Sequence, residues 1–128
     1  MKSSSAAANA IVEAVCAALR ADKDRMWIVN MGVECALEAG VTVTGAFDDA
    51  CGCMFGGFMI TDNSKRKVLR ARDIEPMDVL LHIPSEHIPK TDGRIQLLRA
   101  RREEMEAIVD LAYHDPMRAM TANGRLVA

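Results

Sequence analysis

No charge of either sign dominates this 128-residue chain: 16 Lys and Arg stand against 18 Asp and Glu, a formal net charge of −2. A balance that close to neutral gives no general attraction to nucleic acid or to an anionic membrane surface. Long hydrophobic runs are missing too, since no stretch approaches the roughly 20 apolar residues of a membrane span. Met1 to Leu19 lacks the charged start and long apolar centre of a secretion signal, because its apolar content is mostly alanine broken by Asn9 and Glu13. The expected location is therefore cytoplasmic. Cysteine is sparse, with Cys16, Cys35, Cys51 and Cys53. Cys51-Gly52-Cys53 is not the two-residue-spaced pair of a zinc knuckle, and no second pair completes four ligands. His82, His87 and His114 read as surface or half-buried structural residues. No internal repeat or low-complexity segment is present. Proline is rare, and three of the four fall between Ile74 and Lys90, the best candidate for a passage between two domains.

What the chain does have is apolar material for a core, at 50% hydrophobic and 27% charged residues. Ser3 to Leu19 carries a helical pattern, with Ile11, Val12, Val15, Cys16 and Leu19 on one broad face. Arg25 to Glu38 reads as a second helix, restarted by Asp22 and Asp24 and ended at Gly40. A short helix is expected across Asp48 to Phe55. Gly57 to Thr61 and Arg66 to Arg72 read as strands joined at Asp62-Asn63-Ser64-Lys65, and Met77 to Ile83 as a third strand bracketed by Pro76 and Pro84. Asp92 to His114 is a long amphipathic helix whose charges suggest pairs such as Arg99–Glu103. Pro116 to Val127 forms the last helix, with proline at its opening. The arrangement expected is α+β, with antiparallel strands under helices.

Two segments carry candidate chemistry. In Met1-Lys2-Ser3-Ser4-Ser5-Ala6-Ala7-Ala8-Asn9-Ala10, three serines run into an alanine-rich helix. Its unpaired N–H groups and positive dipole end make an anion site, although one of the serines could equally be a plain N-cap. Forty residues on, Gly40-Val41-Thr42-Val43-Thr44-Gly45-Ala46-Phe47-Asp48-Asp49-Ala50 breaks a β-branched run at Gly45 and delivers two adjacent acids. Acids at a helix start cap it, and they also serve as a carboxylate base or a metal ligand. Phe55-Gly56-Gly57-Phe58 then turns the chain into the hairpin.

"KSSSAAANA", "EAGVTVTGAFDDA" and "FGGFMITDN", in that order, resemble the archaeal-type shikimate kinases of the GHMP kinase superfamily. The superfamily's phosphate-loop motif reads roughly Pro-x-x-x-Gly-Leu-x-Ser-Ser-Ala-Ala. Met1 stands where its Leu belongs, Lys2 at the variable position, and Ser3 to Ala6 over Ser-Ser-Ala-Ala. "TGAFDDA" resembles the segment that carries the catalytic aspartate. The similarity covers nearly the whole chain, but neither the Pro-x-x-x-Gly of the loop nor the third, glycine-rich motif is present.

The resemblance implies a GHMP kinase-like α+β fold truncated at both ends: a ribosomal protein S5 domain 2-like half plus part of a ferredoxin-like α/β plait. Residues 1–73 would be the C-terminal part of the ATP-binding N-terminal domain, and 74–128 the first part of the C-terminal domain. The implied reaction is ATP-dependent phosphorylation of the shikimate 3-hydroxyl, with ATP and Mg²⁺ required and neither nucleic acid nor membrane as a partner. Lys2, Ser3, Ser4 and Ser5 would contact the nucleotide phosphates, Ser4 and Glu38 the metal. Asp48 is the favoured catalytic acid–base group and Asp49 its competitor. For Glu38, an ordinary surface glutamate is the simpler alternative. Another GHMP small-molecule kinase, or a non-catalytic truncated remnant, is the alternative function.

Overall fold

The computed structural model describes residues 3–81 and 100–127, as an α+β chain of five helices and one two-stranded sheet. The chain divides into two compact units, Met1–Ile74 and Glu75–Ala128.

In the first unit, α1 (Ser3–Ala18) and α2 (Arg25–Glu38) form an antiparallel pair, with Asn9 against Gly32 and Val12 and Cys16 clustered with Ile28. The face of α1 that packs differs from the one its apolar residues suggest. Ser5, Asn9, Val12 and Cys16 are buried, whereas Ile11, Val15 and Leu19 are mostly exposed. The reason is local: Gly32 lets the two helix backbones approach closely where Asn9 sits, and an added Cβ there would lie 2.9 Å from Asn9 Oδ1. The close approach, the packing of Val12 and Cys16 on Ile28 and the bond from Asn9 to Ala50 all favour this rotation of α1.

Helix α2 begins at Asp24, whose carboxylate accepts a hydrogen bond from Trp27 N at 2.9 Å. It ends in a Schellman turn, with Gly40 at φ 66°, Gly40 N donating to Leu37 O at 3.0 Å and Val41 N to Ala36 O at 3.1 Å. Helix α3 (Phe47–Phe55) buries Phe47, Ala50 and Cys51 against Val29 and Val33 of α2, and this cluster is the centre of the core. Met59 and Val68, from the hairpin of β1 (Phe58–Asp62) and β2 (Lys67–Arg72), close it. The antiparallel register runs from Phe58↔Arg72 to Asp62↔Lys67, with an irregularity between Ile60 and Thr61 that leaves Leu69 unmatched on β2.

In the second unit, α4 (Arg102–His114) and α5 (Pro116–Val127) are separated by Asp115 alone. Asp115 caps α5, accepting from Arg118 N at 3.1 Å, and Pro116 occupies the first helical position. Arg101 forks onto Glu104 at 2.9 and 2.8 Å and donates to Leu126 O at 2.8 Å, tying the start of α4 to the end of α5. Its neighbour Arg102 pairs with Glu106.

Two expected elements differ. Met77 to Leu81 has no regular structure, and Leu80 is 98% exposed, so the third strand does not form over these residues. Among the described residues no strand lies beside it to complete a ladder, and alternation without a partner does not make a strand. Over its described part the expected long helix is interrupted: Ala100 is helical, Arg101 is not (φ −107°, ψ 28°), and α4 runs from Arg102. Residues 82–99, with His82, His87 and Arg99, lie outside the described residues.

Candidate active site

The first turn of α1 contains Ser3, Ser4 and Ser5 and no acidic residue, so nothing in it offsets the positive end of the helix dipole. Ser4 is exposed and Ser5 is buried. Lys2 lies outside the described residues. Because α1 and α2 run antiparallel, the serine end of α1 and Glu38, the exposed last residue of α2, lie at the same end of the pair.

Asn9 joins this end to the acid-bearing helix. Its carboxamide Nδ2 donates to Ala50 O at 2.9 Å, and the residue is only 4% exposed. Asn9 follows Ser3 by six residues, about 9 Å along a helix axis. The link therefore fixes the start of α1 to the first turn of α3. Asn9 Oδ1 is buried and accepts no hydrogen bond; it packs instead against the backbone at Gly32.

Asp48 and Asp49 occupy the first turn of α3, Asp48 exposed and Asp49 half-buried. The turn that delivers them is unusual. Gly45 (φ 80°) and Ala46 (φ 48°) are consecutive left-handed residues. Glycine is demanded at the first, because a Cβ on Gly45 would meet Val33 Cγ1 at 2.8 Å. Ala46 carries a left-handed conformation that disfavours any residue with a Cβ. It is the formal N-cap of α3 yet supplies no side-chain cap.

The cap comes from the hairpin instead. Asn63 Oδ1 accepts from Asp48 N at 3.1 Å and from the Thr61 hydroxyl at 2.9 Å, while Asn63 Nδ2 donates to Asp48 Oδ1 at 2.7 Å. The turn is itself held, by Asp62 accepting from Ser64 Oγ at 2.6 Å and Lys65 N at 3.1 Å, and by an ion pair from Arg66 to Glu34 of α2. The Ser64 hydroxyl and Lys65 amide bonds hold the Asp62 carboxyl below its ordinary pKa. Beneath Asp48, burial and then the neighbouring Asp48 charge push the Cys51 thiol from 9.0 up to about 11.

The structure thus brings Asp48 to a defined, solvent-facing position on a helix fastened to the serine end of α1. Sequence reasoning missed Asn63, read only as a turn residue, and Asn9, read only as an interruption in an alanine run. For Asn63 the signal was a carboxamide within the same quoted segments as the acids; for Asn9, a polar residue one turn beyond the last serine. Among the described residues, no group of three or more His, Cys, Asp or Glu side chains is arranged to hold a metal ion.

Residues 1–57 match the family described as GHMP kinases N terminal domain. The chain is homologous to archaeal shikimate kinases: it is 49% identical over 127 residues to a shikimate kinase of Methanothrix thermoacetophila, and 53% identical over 88 residues to one of Pyrococcus abyssi. These matches cover 98% and 69% of this chain but 44% and 32% of the relatives. A shikimate kinase of Methanocella arvoryzae is 39% identical over 98% of this chain and 43% of its own length. The chain therefore spans less than half the length of these curated relatives. No solved structure matches it. No helix among the described residues is long and apolar enough to cross a membrane.

Proposed function

We propose that this chain supplies part of the ATP-phosphate site and the catalytic carboxylate of a shikimate kinase acting in the cytoplasm. The observation that carries the reading is Asp48, held exposed by Asn63 at the start of a helix that Asn9 fastens to the serine end of α1. The archaeal relatives supply the substrate class. At the level of fold, residues 1–73 are assigned to the S5 domain 2-like ATP-binding domain and 74–128 to the first part of a plait-like C-terminal domain. The family match within residues 1–57 supports the first assignment.

In this reading the shikimate 3-hydroxyl oxygen attacks the γ-phosphorus of ATP as the bond from that phosphorus to the β–γ bridging oxygen breaks. The hydroxyl proton passes to the Asp48 carboxylate, and the products are shikimate 3-phosphate and ADP. Such transfer is loose at phosphorus, so positioning and charge neutralisation do most of the work. Lys2 and the backbone N–H groups of Ser3, Ser4 and Ser5 would hold the phosphates, with the α1 dipole favouring their charge. Asp49, half-buried beside Asp48, competes for the base role. Ser4 and Glu38 are oxygen donors at one end of the α1–α2 pair. That donor set suits Mg²⁺, which takes one or two protein oxygens and completes its shell with phosphate and water. Bound there, the ion would neutralise charge on the transferring group.

The test is a graft: this chain replacing the matching 44% of the M. thermoacetophila enzyme. ADP release dependent on shikimate, and absent with mevalonate, homoserine or galactose, supports the reading. Turnover with one of those alcohols and not with shikimate contradicts it.

A further inference from the structure

We propose that Asn63 is a positioning residue for Asp48, and that its carboxamide selects which carboxylate oxygen meets the substrate hydroxyl. The inference rests on the assignment of Asp48 as the base. Three hydrogen bonds define the amide. Two donors, Asp48 N at 3.1 Å and the Thr61 hydroxyl at 2.9 Å, point at its oxygen; its nitrogen points at Asp48 Oδ1, 2.7 Å away. Turning the amide over would set N–H against N–H on one side and oxygen against carboxylate on the other, so one orientation is enforced. The consequence for Asp48 is specific. Its backbone is fixed through the N–H and its side chain through Oδ1, which makes Oδ2 the oxygen assigned to receive the proton. A carboxylate tied at only one of these points would swing about χ1 and χ2, and an error of about 1 Å in a reacting group lowers turnover about 100-fold.

The platform behind Asn63 is built to match. Thr61 lies on β1 two residues before Asn63, where the bulge re-aims the strand end. Arg66, four-residue loop partner of Asn63, adopts a left-handed conformation (φ 49°) and reaches Glu34 on α2. The hairpin tip is thereby anchored to the helix pair on one side and to α3 on the other. A helix cap alone would need only the oxygen of Asn63; the nitrogen bond to the carboxylate is what a cap does not require.

That difference gives the experiment, carried out in the same graft. Asn63→Asp keeps an acceptor for Asp48 N and Thr61 but replaces the donor with a second carboxylate; Asn63→Ala removes both. Asp48→Asn combined with Asn63→Asp restores a carboxamide–carboxylate pair with the partners exchanged. Both single Asn63 variants should lose about 100-fold or more in kcat, with KM for ATP changed less than about twofold. The exchanged pair should recover the thermal midpoint lost by Asn63→Asp while remaining inactive. Asn63→Asp turning over within about threefold of the parent, with Asp48→Asn inactive, overturns the positioning role and leaves the base assignment standing. An active Asp48→Asn single variant overturns the base assignment, and the role of Asn63 with it.

Discussion

At the scale of single residues, the site depends on groups whose neighbours set their state. Cys51 is fully buried under Asp48, and its thiol is pushed up to about 11 by burial first and the Asp48 charge second. The folded state therefore holds the proton more tightly than the unfolded chain. The stability this gives is complete below pH 9 and is lost as pH rises towards 11, at about 1.4 kcal/mol per pH unit. Unfolding free energies measured at pH 8 and pH 10.5 should show this loss, and Cys51→Ala should remove that part of the slope. The same burial predicts an order of thiol labelling: exposed Cys35 and Cys53 react in the native state, and Cys16 and Cys51 only on unfolding. Asp48 and Asp49 were legible as a pair in the sequence. Their difference in exposure was not, because it depends on how α3 rolls when Phe47 enters the core.

Elements form where local rules and packing agree, and two places show the rules under load. Helix α1 ends with Arg20 at φ 53°, Arg20 N donating to Ala17 O at 3.1 Å and Ala21 N to Cys16 O at 2.8 Å. A non-glycine residue carries the left-handed position of this Schellman turn. Arg20→Gly should stabilise the unit by about 1 kcal/mol, read as a rise in the midpoint of chemical denaturation. Gly32 acts in the opposite sense. Gly32→Ala places a Cβ 2.9 Å from the buried Asn9 Oδ1, whose carboxamide is tied to Ala50. Overpacking of this kind costs about 1–3 kcal/mol, and the same denaturation measurement should show it. Helices 3–18 and 25–38 and the hairpin were readable from period, caps and turn residues. The buried stripe of α1 was not, since Ile11, Val15 and Leu19 outweigh Ser5 and Asn9 in hydrophobicity, and the contacts with Gly32, Ile28 and Ala50 reverse the choice. The expected strand from Met77 also failed over its described part, because a strand is a property of a pair.

For the whole molecule, two asparagines join the serine-started helix α1 to the Asp48 carboxylate and the hairpin. Asn9 fastens α1 to α3, and Asn63 fastens α3 to the hairpin. Both contacts span long stretches of chain, 41 residues for Asn9–Ala50 and 15 for Asn63–Asp48. No local pattern announces such contacts, which is why the acids and serines were found in the sequence and their supports were not. The likeness to archaeal shikimate kinases runs along 98% of the chain in the Methanothrix case and 44% of that relative. Catalysis is accordingly tested in the grafted enzyme. The most direct measurement is shikimate-dependent turnover of the graft with Asp48 intact and with Asp48→Asn, alongside nucleotide affinity. Loss of about 1,000-fold in kcat with ATP affinity retained is the result predicted for a carboxylate that receives the hydroxyl proton. Turnover of the Asp48→Asn form at the parent rate would contradict the account.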